Sequence, residues 1–278
     1  MRGATMQVIG LCRFSYPAVG GFQVEHASPE ARARYLYAPE RMEERFRLFE
    51  TVALPSLRAQ TDGDFDLVVV AGRDLPPPWM ARLEAALATL PQARLRLEPP
   101  RRHREVMKEA LQAARRAPGR PCLQFRFDDD DAVAVDFVAR LREAAAVCEA
   151  LLADHRSVAI DFSSGYQAAF GADGIRAAPI FRPYYTAALG MLVRGGAPVT
   201  IMNFAHHRIH RFMPSATFPE PRMFVRGLGR FNDSRQGADL PADLRPLSPE
   251  EVTEFRRRFA LDAEAVRRAF GRERPAAG

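Results

Sequence analysis

Lysine is all but missing. Lys108 stands alone among 40 basic residues, and arginine supplies the rest. Arginine keeps its charge at any working pH and grips phosphate with a planar fork. A formal charge of +6 carried this way suits a phosphorylated partner, although a GC-rich genome would produce the same bias. The basic residues form no single run with interleaved aromatics, and no nucleic-acid motif occurs, so nucleic acid is not an expected partner. Cysteine is scarce as well. Cys12, Cys122 and Cys148 match no zinc spacing, and an odd number argues against a disulfide framework. They read as reduced core residues. No apolar run approaches the ~20 residues that span a bilayer, and the apolar stretch within Met1 to Phe14 is too short for a signal peptide. The expectation is a cytoplasmic chain without a transmembrane segment, able to work peripherally at the inner face of the membrane. GxSxG, P-loop and GxGxxG motifs are absent, which weighs against hydrolase, ATPase and dinucleotide-dependent readings. There is no internal repeat and no low-complexity linker.

What is present is ordinary globular composition, 47% hydrophobic and 27% charged over 278 residues, enough for a substantial core. The first half alternates strand-like and helix-like segments. Met6 to Cys12, Phe65 to Ala71, Ala93 to Glu98, Pro121 to Phe127 and Ser157 to Ser163 read as strands. Between them, Glu40 to Gln60, Pro77 to Leu90, Arg102 to Arg116 and Val135 to His155 read as helices. Pro55 is expected to kink or end the first of these, and Asp136 or a neighbour to cap the last. Strand, helix, strand, helix predicts an α/β fold with a mostly parallel central sheet and helices on both faces. Ligands bind such sheets beyond the carboxyl ends of the strands. From Gly165 to Arg230 the chain is rich in Gly, Pro and aromatics, with short strands expected at Gln167 to Phe170, Pro179 to Arg182 and Ala188 to Val193. This part reads as an irregular region over one end of the sheet. Ser248-Pro249-Glu250-Glu251 is a helix start with a capping box. Two short helices follow to about Phe270.

The most informative stretch is Gln124-Phe125-Arg126-Phe127-Asp128-Asp129-Asp130-Asp131. It puts four carboxylates at the carboxyl end of a strand. Each neighbouring pair costs about 1 kcal/mol in water at ~4 Å and about 4 kcal/mol at an effective dielectric near 20. An acidic helix N-terminus explains one or two such residues. A divalent cation explains four, because hard ions such as Mg²⁺ and Mn²⁺ prefer oxygen ligands. Arg13 follows the first strand, where its side chain would reach the cleft and a donor's phosphates or base. Asp161 ends another strand and is a candidate general base, with Asp131 the second candidate. Arg222, Arg226, Arg230 and Arg235 lie in a stretch that could close over a diphosphate. Trp79, Tyr184 and Tyr185 could stack on sugars but suit packing better.

Three segments, Thr51 to Thr61 (TVALPSLRAQT), Asp64 to Val70 (DFDLVVV) and Arg126 to Asp131, resemble the nucleotide-sugar half of GT-A-type glycosyltransferases. Gly10 to Ser15 (GLCRFS) and Asn232 to Arg235 (NDSR) narrow the resemblance to a bacterial rhamnosyl transferase family. It covers about Met6 to Leu240. The resemblance implies one GT-A-like catalytic domain over residues 1–245, with a nucleotide-sugar half at 6–163 and an acceptor half at 164–245. Residues 246–278 form C-terminal helices and a tail. It also implies a nucleoside-diphosphate sugar donor, a glycan or lipid-linked acceptor and a divalent metal. The family's Asp-x-Asp motif maps onto Asp128, on the donor side, and Asp130, on the metal. A late histidine, His206 or His207 with His206 preferred, completes the metal site. Where many relatives carry an acidic pair after the second strand, this chain has Ala71-Gly72-Arg73-Asp74, so only Asp74 can bind the ribose or base. The expected activity is metal-dependent transfer of a sugar, rhamnose by the family's name. The alternatives are a metal-dependent nucleotidyltransferase and a non-catalytic nucleotide-sugar-binding protein.

Overall fold

Burial along the first strand shows how the layers are arranged. Val8 and Cys12 face one apolar cluster while Ile9 and Leu11 face another, and all four are buried. A strand packed on both sides needs this near-continuous apolar run. The computed structural model describes residues 5–21, 26–229, 231 and 244–271. In chain order its elements are β1 (Gln7–Arg13), α1 (Pro29–Leu36), α2 (Pro39–Leu48), α3 (Leu54–Arg58), β2 (Asp66–Gly72), α4 (Pro77–Ala88), β3 (Ala93–Glu98), α5 (His103–Ala113), β4 (Cys122–Asp128) and β5 (Ala132–Val133). After these come α6 (Phe137–Cys148), β6 (Ser157–Phe162), β7 (Ser164–Gly171), β8 (Gly174–Phe181), β9 (Leu189–Val193), β10 (Ser215–Phe218), β11 (Phe224–Leu228), β12 (Arg245–Pro246), α7 (Pro249–Phe259) and α8 (Ala263–Gly271).

The central sheet runs β10-β6-β9-β4-β1-β2-β3. Its strands are parallel except β9, which is antiparallel to both neighbours. One face packs against Phe46 of α2, Leu57 of α3, Leu83 of α4 and Leu141 of α6. The other packs against Val106 and Leu111 of α5 and against the 3₁₀ turn Ile201–Asn203. This is the α/β architecture expected from the sequence, with a mostly parallel sheet covered on both faces. None of the helices in the described residues is long and apolar enough to cross a membrane.

The second half departs from expectation. It is no irregular cover but a five-stranded sheet, β12-β8-β7-β11-β5, built on the long β7–β8 hairpin. Its strands, SGYQAAFG and GIRAAPIF, are rich in small residues and hold Pro179, so they lack the β-branched signal of β2. Pro179 is tolerated because β12 pairs only Arg176 and Ala177, which leaves that stretch of β8 as an edge. Pro55 interrupts its helix, as expected, but through a π-helical turn, Phe49–Ala53, that lets α3 restart with the proline in its first turn. Asp136 stands at the N-terminus of α6 without a side-chain cap bond and instead accepts from Arg140 Nε at 3.2 Å. That helix also stops at Cys148 and gives way to a 3₁₀ turn over Glu149–Ala153.

At the C-terminus, Ser248 forms the expected capping box with Glu251. Phe255 and Phe259 of α7 pack on Tyr166 of β7, with ring centroids 4.8 and 6.1 Å away. The helix α8 touches both β8 and the π-helical turn, so it spans from the second sheet to the first layer. Phe259 is fully buried. Phe259→Ala is expected to lose about 3–5 kcal/mol of stability, the usual cost of truncating a buried aromatic. Urea unfolding followed by far-UV circular dichroism checks this, and it should show one transition in both proteins.

Candidate functional site

β4 carries apolar residues to the end of the sheet and then releases its acidic turn. Arg13 at the end of β1 is the register partner of Asp128. The turn closes with Asp131 N–H donating to the Asp128 carbonyl at 3.2 Å, and β5 then pairs with β11 of the second sheet. The four aspartates therefore form the hinge between the two sheets. Asp129, Asp130 and Asp131 are buried and Asp128 is half-buried.

Two arginines from distant elements neutralise this turn. Arg45 of α2 donates through Nε to Asp129 at 3.1 Å and through Nη1 to Asp130 at 3.3 Å, with Nη2 also on Asp129. Arg226 of β11 places one nitrogen, Nη1, 2.5 Å from Asp128 and 2.7 Å from Asp131. Asp131 also accepts from the Gly227 amide at 2.9 Å. Burial would raise Asp128, but Arg226, Arg126 and Arg13 overcome it and hold the group well below the usual carboxylate range. Burial pushes Asp131 up against the pull of Arg226, and the charges of Asp130 and Asp128 push it further. Burial is the main cause, and the one arginine nitrogen that opposes it is shared with Asp128.

Beyond the turn lies a cavity whose wall includes Arg13, Asp128, Asp130, Arg126, Arg226 and His206. Arg126 makes no hydrogen bond or ion pair with any described residue, and burial lowers its pKa although Asp128 opposes this. Arg226 leaves Nη2 and Nε without hydrogen-bond partners among the described residues. His206 Nδ1 sits 2.7 Å from the Tyr184 carbonyl, which can only accept, so Nδ1 carries the proton and Nε2 keeps its lone pair. Burial lowers the His206 pKa to about 4 and that of His103, on the same wall, to about 3. Carboxylate oxygens of Asp128, Asp130 and Asp131 lie within 4.8 Å of one another. These are hard donors suited to Mg²⁺ or Mn²⁺, and His206, outside that group, lines the same cavity.

The structure thus brings together Arg13, Asp128, Asp130 and His206 among the residues singled out from the sequence. It does not bring Asp131, Asp161 or Asp74 to the cavity wall. Asp131 is fully buried behind the wall, committed to Arg226 and Gly227. Asp161 is fully buried on β6, where it accepts from the Tyr184 amide at 2.8 Å, and burial pushes its pKa up to about 6. Asp74 is exposed beyond β2 and faces the Tyr37 side. Of the four late arginines, Arg226 enters the cavity and Arg222 lies over the Tyr166 ring at 5.1 Å. Arg230, Arg235 and the Asn232 to Arg235 segment fall outside the described residues. Trp79 packs on Phe46, Tyr185 on Phe224 and Tyr184 on His210.

Sequence reasoning missed Arg45, Arg126 and His103. Arg126 was visible two residues before Asp128, on the same face of the strand. Arg45 gave one faint signal: it falls on the apolar face of α2, between Met42 and Phe46.

A mostly buried acidic turn at the carboxyl edge of a mostly parallel sheet thus lines one cavity together with Arg13, Arg126 and Arg226. The family described as "Putative rhamnosyl transferase" matches residues 7–239, and the chain belongs to that family. No curated protein matches the chain. Among solved structures it is similar to residues 1–349 of S. aureus TarS in complex with UDP, at 11% identity and a TM-score of 0.43, covering 81% of this chain and 60% of that one. The UDP-GlcNAc complex of the same protein gives 10% identity and a TM-score of 0.41, with coverage of 82% and 60%. A structure of a putative glucose-1-phosphate thymidylyltransferase from Bacillus anthracis in complex with a sucrose gives 9% identity and a TM-score of 0.33, with coverage of 78% and 87%. The chain spans about 60% of the TarS chains it matches.

Two outcomes follow from this geometry. A Cβ on Gly227 would sit 2.1 Å from the Asp130 carbonyl oxygen, a backbone atom that cannot move aside. Gly227→Ala should therefore force β11 off the acidic turn and cost about 2–4 kcal/mol, read as a lower urea midpoint. His103 and His206 have folded pKa values below the unfolded value near 6.5. Between those values the unfolded chain binds more protons, so their contribution is intact above pH 6.5 and lost as pH falls towards 4. The stability difference between wild type and a His103→Gln/His206→Gln double variant should shift against the wild type over that window, measured by urea midpoints at half-unit pH steps.

Proposed function

We propose that this protein transfers a sugar, rhamnose by the family's description, from a nucleoside-diphosphate donor to a hydroxyl of a glycan or lipid-linked acceptor, assisted by a divalent cation. One observation carries the reading: Asp128 and Asp130 open onto a cavity where Arg13, Arg126 and Arg226 present guanidinium groups. Buried carboxylates on their own would repel a diphosphate. Carboxylates flanked by guanidinium groups, with donors of Arg126 and Arg226 uncommitted among the described residues, suit a cation and the phosphates it accompanies.

In this reading Asp128, Asp130 and the Nε2 of His206 hold the cation. Such an ion, when bound, offsets charge building on the departing nucleoside diphosphate. Arg126 meets the phosphates with its whole fork, and Arg226 with the two nitrogens it does not spend on Asp128 and Asp131. Arg13, beside Asp128 in the sheet register, steers the same group. Asp131 and Asp161 reach no cavity wall, so neither is assigned the acceptor's proton, and Asp74 is assigned no donor contact.

The test is product analysis. With a panel of nucleotide sugars, Mn²⁺ and candidate acceptors, the wild type should release nucleoside diphosphate. Asp130→Ala and Arg126→Ala should each lower kcat/KM by about 30–100-fold, the worth of one charge-assisted contact of about 2–3 kcal/mol. Released pyrophosphate would instead indicate nucleotidyl transfer. A melting-point rise with donor and Mn²⁺, but no turnover with any acceptor, would indicate a binding protein.

A further inference from the structure

Asp161 is fully buried, ends β6 and touches no part of the cavity, yet it is a carboxylate where an apolar residue would cost less. Its Oδ1 accepts from the Tyr184 amide at 2.8 Å, the Thr217 side chain on the neighbouring strand also interacts with the carboxylate, and Oδ2 has no well-formed hydrogen bond of its own. Tyr184 is itself unusual. Its φ of +58° lies in the left-handed region, which a bulky residue enters at a cost and keeps only when its surroundings hold it there. What that conformation achieves is visible at the other end of the residue. The Tyr184 carbonyl meets His206 Nδ1 at 2.7 Å, and the Tyr184 ring lies on His210 at 4.7 Å. One buried acid thus leads, through one strained backbone residue, to the only histidine among the residues expected to bind the cation.

We propose that Asp161 is a positioning residue: by pinning Tyr184 in its left-handed conformation it fixes His206 with Nδ1 protonated and Nε2 turned to the cavity. The logic is that of the groups behind metal-binding histidines, which set the tautomer and ring angle by accepting from the far nitrogen. Here the acceptor is a backbone carbonyl, and the carboxylate acts one residue behind it. The tautomer part of the inference stands on geometry alone. Its consequence for a cation rests on the functional reading above.

The experiment has two arms, so that the two can fail separately. In the first, long-range ¹H–¹⁵N spectra of the metal-free protein read the His206 ring, assigned by its loss in His206→Ala. The wild type and Asp161→Asn, which keeps an acceptor oxygen, should show a protonated Nδ1 and a pyridine-like Nε2. Asp161→Ala should shift the ring towards the other tautomer or a mixture. If Asp161→Ala does not fold, Asp161→Leu, of similar size and without an acceptor, takes its place. In the second arm, titration with Mn²⁺ alone should show binding weakened about 10–100-fold by Asp161→Ala, within about threefold of wild type for Asp161→Asn, and unchanged by Asp161→Ala in a His206→Ala background. A His206 ring unaffected by losing the Asp161 acceptor overturns the proposal, as does an equal Mn²⁺ defect with and without His206. A wild type that binds no Mn²⁺ overturns the cation reading and leaves the tautomer arm to decide the role of Asp161.

Discussion

Everything at the cavity depends on neutralising one buried acidic turn. Four successive carboxylates cannot leave water without compensation, and the fold supplies it from both of its layers. Arg45 comes from a helix packed on the central sheet, and Arg226 comes from the second sheet. The turn is therefore an ionic hinge, and the two sheets keep their relation because each contributes one of its counter-charges. The close approach of Gly227 to the Asp130 carbonyl belongs to the same device, since any side chain there would hold the sheets apart. A structural ion-pair network and a ligand site are usually separate things. Here one turn does both: its aspartates pair with Arg45 and Arg226, while Asp128, Asp129 and Asp130 also line the cavity and Asp131 lies behind it.

That division explains why the aspartates differ in kind although they are adjacent. Backbone geometry sends neighbours to opposite sides, and the environment then sorts their charge. Asp128 has three guanidinium groups near it and stays firmly ionised. Asp131 shares its one arginine nitrogen with Asp128 and is pushed the other way by burial. A sequence shows four equal letters, and only the distribution of arginines around them gives each a different task.

The same limit governs how much could be read in advance. The central sheet was legible because its strands are buried on both faces and use β-branched runs such as Leu67 to Ala71, a signal that needs no knowledge of neighbours. The acidic turn was legible because four carboxylates after such a strand have few bland explanations. Arg13 followed from its place at a strand end. Arg45 did not, because its role exists only once α2 has docked, 84 residues away along the chain. Of the second sheet, parts of β7 and β8 were legible as short strands at Gln167 to Phe170 and Pro179 to Arg182, but their length and pairing were hidden by composition. Strands built from Gly, Ala, Gln and Pro pair through backbone hydrogen bonds and pack on Phe255 and Phe259, and neither leaves a period in the sequence. Asp161 was legible as an acid near a strand end, but nothing local shows that Tyr184 folds across its carboxylate or that it is buried away from the cavity wall.

The arginine bias can now be divided between background and need. Many surface arginines sit in exposed pairs such as Arg102–Glu105 and Arg140–Glu143, where lysine would serve about as well, since such pairs contribute little. These fit a GC-rich genome and nothing more. Arg45 and Arg226 are different. Arg45 reaches two carboxylates with different nitrogens of one rigid plane, and a lysine ammonium, a single strongly hydrated point, could not span both without shedding its water. Arg226 bridges Asp128 and Asp131 with one nitrogen, as an ammonium also could, but it keeps two further nitrogens in the same plane that an ammonium lacks. Composition alone could not separate these cases. Geometry does, because the requirement for a planar, multidentate cation appears only where two buried carboxylates converge on one side chain.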